Sequence, residues 1–220
     1  MLSSRTILPA ASNIIRILVP RTATFFDGHG DYDVFSILKE RGIKEGEEAK
    51  NAFKLFKLEQ KFSISETQLH KEMITLQQEL HPDRYMSGGG SARMKSDYLS
   101  SLVNEQYEIL RQPYQRAKYL LSLVSKKDPE ELERDLDRLK MDSDFLTRMM
   151  DLQEKIGSYN TRQEELTKLR YDLGLEVFLL NKELDSDFKE KNVAKILPKL
   201  GKLKFLSNCL SAADKRLDQF

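Results

Sequence analysis

The residues able to carry chemistry are few, and they gather at one place. His81 and Asp83 flank a proline in Leu80-His81-Pro82-Asp83-Arg84-Tyr85, so an imidazole and a carboxylate stand two positions apart. With His70 they could be imagined as metal ligands. His70 and His81, however, lie eleven residues apart, roughly 16 Å along one helix, and cannot share an ion unless that helix breaks. Ser87 and Ser91 follow without an obvious base, and Cys209 is the sole cysteine. One cysteine excludes an intrachain disulfide and a cysteine-built metal site within the chain. No P-loop spacing, dinucleotide glycine signature or HExxH word occurs. These absences weigh against an enzyme, and no metal or cofactor is expected.

What positions the His–Asp pair is a pair of helices. Ser65 to Leu80 carries Leu69, Met73, Leu76 and Leu80 at 4-3-4 spacing, which keeps one helical face buried. Ser65-Glu66-Thr67-Gln68 fits a capping box that fixes its start. Pro82 has no backbone N–H and pushes His81 away from the α region, so the helix should stop there. Met86-Ser87-Gly88-Gly89-Gly90-Ser91 lets the chain turn back into a second helical pattern, from about Ala92 to Leu110. The plain alternative is a helix stop with a flexible loop, which the tripeptide alone would not exclude.

Helix, tip, glycine turn and returning helix together resemble the J-domain of DnaJ-type co-chaperones, whose His-Pro-Asp tip triggers ATP hydrolysis in a DnaK-type chaperone. The resemblance implies roles rather than chemistry. Asp83 would pair with an arginine of the chaperone's ATPase domain, Pro82 would set the rigid turn, and His81 would hold the loop by packing and hydrogen bonding. In this family the first hairpin helix offers a basic ridge. Here only Lys71 remains of it, Gln77, Gln78 and Glu79 fill the last turn, and Arg84 supplies part of the missing charge. Weaker electrostatic steering is the consequence.

Two later words narrow the resemblance. Val103-Asn104-Glu105-Gln106-Tyr107-Glu108-Ile109-Leu110-Arg111 is followed by Gln112-Pro113-Tyr114-Gln115-Arg116-Ala117-Lys118-Tyr119-Leu120-Leu121, with Pro113 marking a break and a new helix start. Its Pro-x-x-Arg-Ala-x-Tyr-Leu-Leu pattern is similar to the HscB (Jac-type) branch of J-proteins, and the likeness runs from Ala52 to about Leu123. Ala52 to Leu58 takes the register of the J-domain's start in preference to Tyr32 to Leu38, a second short amphipathic candidate closed by Gly42. Lys57 stands where the family usually has glycine. Some relatives carry an N-terminal cysteine-rich zinc module; this chain has no cysteine there, so zinc is not expected.

Beyond Ser125 a charge-dense stretch holds Leu132, Leu136 and Leu139 at four and three, and reads as a solvated linker helix. From Phe145 to Glu154, about Thr161 to Leu184, and about Asp187 to Phe220 the pattern is again helical. Ile196, Leu200, Leu203, Leu206, Leu210 and Leu217 are expected on the buried side of the last helix. Three apolar stripes make a small bundle, with Pro198 kinking the last helix or ending a short one before it. This part is similar to the C-terminal domain of HscB, which grips the iron–sulfur scaffold protein. The resemblance implies an apolar patch of Leu146, Met150 and Phe205 flanked by Asp151 and Glu154, with Thr147 where the family commonly has Met. Periodicity alone would make all three core residues.

Composition agrees with a soluble all-α chain: 32% charged residues, no Trp and a mean hydropathy of −0.54. A formal charge of +1 gives no whole-chain argument for nucleic acid, and no apolar run reaches the roughly 18 residues of a spanning helix, so no membrane insertion is expected. Met1 to Phe26 has Arg5, Arg16 and Arg21 and no acid. It reads as a mitochondrial transit peptide rather than a secretory signal, because Arg16 interrupts the apolar run; a basic tail is the alternative. Without those arginines the balance of 36 basic against 35 acidic residues becomes 33 against 35.

The expected organisation is a transit peptide over 1–26, an unassigned extension over 27–48, a J-domain hairpin over 49–124, a connector over 125–143 and a C-terminal three-helix bundle over 144–220. The expected function is a matrix co-chaperone that stimulates a DnaK-type mitochondrial chaperone and brings it the iron–sulfur scaffold. A J-protein for another client and a structural helical adaptor are the rivals.

Overall fold

A computed structural model describes residues 36–43, 51–81, 83–85 and 89–220. The transit segment, Pro82 and the turn residues 86–88 lie outside the described residues, as does most of 27–48. The described residues hold nine α-helices, a 3₁₀ turn at 83–85 and no strand: α1 (Ser36–Glu40), α2 (Ala52–Leu55), α3 (Glu66–Glu79), α4 (Gly89–Arg111), α5 (Pro113–Ser125), α6 (Pro129–Asp137), α7 (Ser143–Gly157), α8 (Gln163–Lys189) and α9 (Val193–Leu217).

The hairpin is α3 against α4, with α2 and α5 closing its base. Ser65 caps α3, its Oγ accepting the N–H of Gln68 at 3.2 Å. The box is only half made, because the Gln68 amide instead donates to the carbonyl of Lys57 (3.3 Å). Lys57 itself adopts φ = 52°, so it takes the left-handed conformation that glycine would reach without steric cost.

The motif after Pro113 explains itself in contacts. Arg116 donates to the carbonyl of Leu110 at the end of α4 (2.7 Å) and lies 5.2 Å from the Phe62 ring centroid. Tyr119 Oη accepts the N–H of Ala52 (3.1 Å) and its ring stacks on Phe53. Ala117, Leu120 and Leu121 are core. The described part of the extension, 36–43, packs on the same interior. Leu38 and Ile43 are buried in it, and Arg41 reaches the Leu55 carbonyl (3.1 Å) and Glu72 (2.7 Å). Gly42, at φ = 68°, makes the turn between them.

The connector departs from a solvated linker. Leu132 and Leu136 are only 1% and 8% exposed and join the hairpin core. Glu133 pairs with Lys118 of α5 and lies 3.6 Å from Lys204 of α9, so α6 is tied on both sides. Leu139 and Met141 then cross α9 at Gly201, where a Cβ would come within 2.8 Å of the Leu139 side chain.

In the bundle α9 lies between α7 and α8. It runs through Pro198 without interruption; the residue whose carbonyl loses its donor, Ala194, is exposed and can use water instead. Ile196, Leu200, Leu203 and Leu206 are buried as the spacing predicts. Further on, Cys209 and Ala213 occupy the core while Leu210 and Leu217 are half-buried. Asp187 and Phe188 end α8 rather than opening α9. Ile196, Leu200, Leu203, Leu184 and Phe188 belong to the same core as the hairpin, so one apolar interior passes from the J-domain-like part into the bundle.

Candidate functional site

The C-terminus of α3 has orphan carbonyls and no glycine to end it. Three side chains take them. Arg84 donates to Gln78 O (3.4 Å), Tyr85 Oη to Glu79 O (2.9 Å), and Ser96 Oγ, from α4, to Leu80 O. Tyr85 is buried, and burial pushes its phenol above the ordinary value. The residues that form the tip therefore also terminate the helix, so the loop is held from both sides.

On that base His81 and Asp83 face water, with Asp83's side chain 82% exposed. His81 Nδ1 accepts the N–H of Asp83 (3.3 Å) and lies 3.6 Å from the Asp83 carboxylate. The amide contact uses a lone pair on Nδ1, while the carboxylate, at 3.6 Å, stands just beyond hydrogen-bond reach. Pro82 lies outside the described residues. Lys71 is exposed on the same face of α3, about 15 Å of helix from His81. Between them stand Ile74, which is exposed, and Gln78. This face borders an open cleft of about 360 Å³ lined by His70, Met73, Ile74, Gln77, His81 and Tyr107, among others. The ridge is thus more apolar than basic. Ile74 is legible in the sequence as the apolar residue that breaks the 69-73-76-80 stripe.

The second group of predicted residues sits on α7 and α9. Met149, Leu152 and Ile156 turn inward, while Met150 is 71% exposed and Asp151 and Glu154 are exposed beside it. Leu146 and Phe205 are half-buried, so the three apolar residues are not equally open. Phe205 meets Phe145 edge-on (6.1 Å), and Lys202 covers the Phe145 ring at 5.7 Å. Phe145 is an addition that spacing does not flag, because it reads as the first core residue of α7. Arg148 makes a bidentate pair with Glu176 of α8 (2.9 and 2.6 Å) and locks the helix carrying the patch.

No group of three His, Cys, Asp or Glu residues placed to hold a metal ion occurs among the described residues. Nor is any of their helices long and apolar enough to cross a membrane. Both groups lie at the surface, the tip wholly and the α7–α9 group in part.

Residues 141–214 match the family model of the HscB C-terminal oligomerisation domain. A co-chaperone protein HscB homolog from Acinetobacter baylyi is 30% identical over 169 residues, covering 77% of this chain and 92% of that relative. The chain belongs to the HscB co-chaperone family. Chaperone HscB from Vibrio cholerae has the same fold, with a TM-score of 0.64 at 23% identity over 77% of this chain and 98% of that one. The crystal structure of human co-chaperone protein HscB gives 0.66 at 22% identity, over 77% and 83%. In this HscB-family chain Leu146, Met150, Asp151, Glu154 and Phe205 all fall within the matched C-terminal domain.

Proposed function

We propose that this chain is a mitochondrial matrix co-chaperone that stimulates a DnaK-type chaperone through His81, Pro82, Asp83, Arg84 and Lys71. It brings to that chaperone the iron–sulfur cluster scaffold, held by Leu146, Met150 and Phe205 with Asp151 and Glu154 at the rim, and so promotes cluster transfer. The observation that carries this reading is the joining of two exposed contact surfaces by one core: an anionic tip on a capped hairpin, and an open methionine with acidic neighbours on α7. Among the described residues Asp83 pairs with His81 at 3.6 Å and its side chain is 82% exposed, which leaves its charge open to a cation on another protein. The hydrolysis is the partner's; this chain shifts the partner toward its hydrolytically competent state.

Single-turnover ATP hydrolysis by the mitochondrial chaperone, with and without this chain and the scaffold, tests the reading. Both additions together should accelerate turnover most. Asp83→Asn should abolish stimulation, a loss of about 2–5 kcal/mol if the charge is buried against its partner, while leaving the helical content unchanged. Stimulation that survives Asp83→Asn would remove the chaperone assignment. Stimulation by the chain that the scaffold never augments would remove the cargo.

A further inference from the structure

α8 carries large apolar residues on both of its faces. Leu166, Leu173, Leu184 and Phe188 bury one side. The opposite side carries Tyr171, Leu175, Phe178 and Leu179, spaced i, i+4, i+7 and i+8 and 68%, 49%, 55% and 54% exposed. A helix packed on a core by one face normally shows polar residues on the other. These four side chains leave a few hundred Å² of largely apolar surface in water, a size at which a patch is usually functional. They stand on a different helix from Met150 and Phe205, which lie on α7 and α9.

Gly174 lies on the flank of this stripe, inside a 27-residue helix. A Cβ there would meet nothing within 4 Å, so the chain's own packing does not require glycine. Only proline is a worse helix former. A missing side chain at that point lets another backbone come close.

We propose that the outer face of α8 is a self-association surface on which α8 of a second copy lies antiparallel, about a two-fold axis. The charges on this face choose the occupant. Glu164 and Lys189, both exposed, share the face with the stripe and stand near its two ends. In an antiparallel pair Glu164 of each copy meets Lys189 of the other, twice by symmetry. Lys189 also reaches Asp185 within its own helix (2.7 Å), and an ammonium with three donors can serve both carboxylates. The same register sets Tyr171 opposite Lys182 and Leu175 opposite Phe178. Lys182 already lies 5.3 Å from the Phe178 ring, so its ammonium is placed to cover aromatic faces. A parallel pair would oppose Glu164 to Glu164 and Lys189 to Lys189, and would align the helix dipoles unfavourably. The matched family model is named for oligomerisation; the face and register follow from this chain's own residues. Two copies would bury roughly 1,000 Å² in all, which is the low end of specific interfaces and makes the dimer concentration-dependent.

Sedimentation of the full chain across the micromolar range should show a monomer–dimer equilibrium that weakens with salt. Leu175→Lys with Phe178→Lys, both outside the core, should raise the dissociation constant at least 100-fold while the circular dichroism stays unchanged. Lys189→Glu alone should weaken the dimer, and adding Glu164→Lys should restore it. A chain that is monomeric throughout overturns the proposal, and so does a dimer that the double lysine variant leaves intact. A charge exchange that fails to restore association overturns it too, since the register rests on that pair.

Discussion

The rings of Phe62 and Phe188 stack with their centroids 5.5 Å apart and their planes 20° apart. Phe62 precedes α3 and Phe188 ends α8, so this contact is one of those that join the hairpin to the bundle. Beside it the N–H of Ser63 donates to Asp185 (3.1 Å), and the Arg116 guanidinium lies over the Phe62 ring. Burial holds that guanidinium below its ordinary pKa, with Glu66 partly opposing the shift. Removing the ring at Phe188→Ala should cost about 3 kcal/mol, as for other buried phenylalanines, and lower Tm by roughly 10 °C. Urea denaturation should change from one transition to two, with hairpin and bundle melting apart. A single unshifted transition would show that the joint carries little.

Lys57 holds a left-handed backbone that disfavours any side chain with a Cβ. Lys57→Gly should relieve this and stabilise the chain by up to about 1 kcal/mol, part of the gain being lost to the greater freedom of glycine in the unfolded chain. Thermal denaturation reads the sign directly; a fall in Tm would mean that the strain is absent.

Glu133 is the acidic hinge of α6. Burial raises its pKa, but the hydrogen bond and charge of Lys118, with Lys204 behind, outweigh it and leave the carboxyl below the usual glutamate range. A depressed folded-state pKa contributes stability above the unfolded-state value, and that stability is lost as pH falls through the folded-state value. Glu133→Gln should therefore lower stability at neutral pH and flatten the acid limb of the stability curve. Equal slopes in the two proteins would dismiss the linkage.

The two halves of the α7–α9 patch should behave differently. Met150→Lys changes a side chain that is already in water, so scaffold binding should fall at least tenfold with Tm within a degree or two of the parent. Phe205→Ala removes a ring packed on Phe145 and should cost both binding and stability. Calorimetric titration with the scaffold, set beside thermal melts, separates them. Undiminished binding by Met150→Lys would remove that residue from the contact.

What can be read in the sequence is what adjacent atoms decide. Ser65 and Pro113 place the starts of α3 and α5 because a cap or a missing N–H acts within a turn. The end of α8 falls later than its spacing suggests because no glycine or proline marks it; Lys191 takes a positive φ and Asn192 caps α9 by accepting the N–H of Lys195. Leu132 and Leu136 have the same spacing whether they face water or a core, so only the packing of α5 and α9 reveals that α6 is interior. Large apolar residues draw attention to Leu210 and Leu217. Close approach of α7 and α8 to α9 instead selects the smaller Cys209 and Ala213. The tip residues are visible because they are contiguous. The carbonyl donors from Tyr85 and Ser96 are not, since nothing in their spacing announces a distant acceptor.

The interior that runs unbroken from Leu69 through Leu121 to Leu200 makes the molecule a bracket instead of two beads on a string. Under the proposed function, a client seated on α7 would be offered to the chaperone at one separation and one orientation. The local concentration of the second binding event is then written into the geometry of folding, where a flexible tether would have spread it over many distances. Loosening the bracket at its corner should slow hand-over even in a variant whose two contact surfaces are intact.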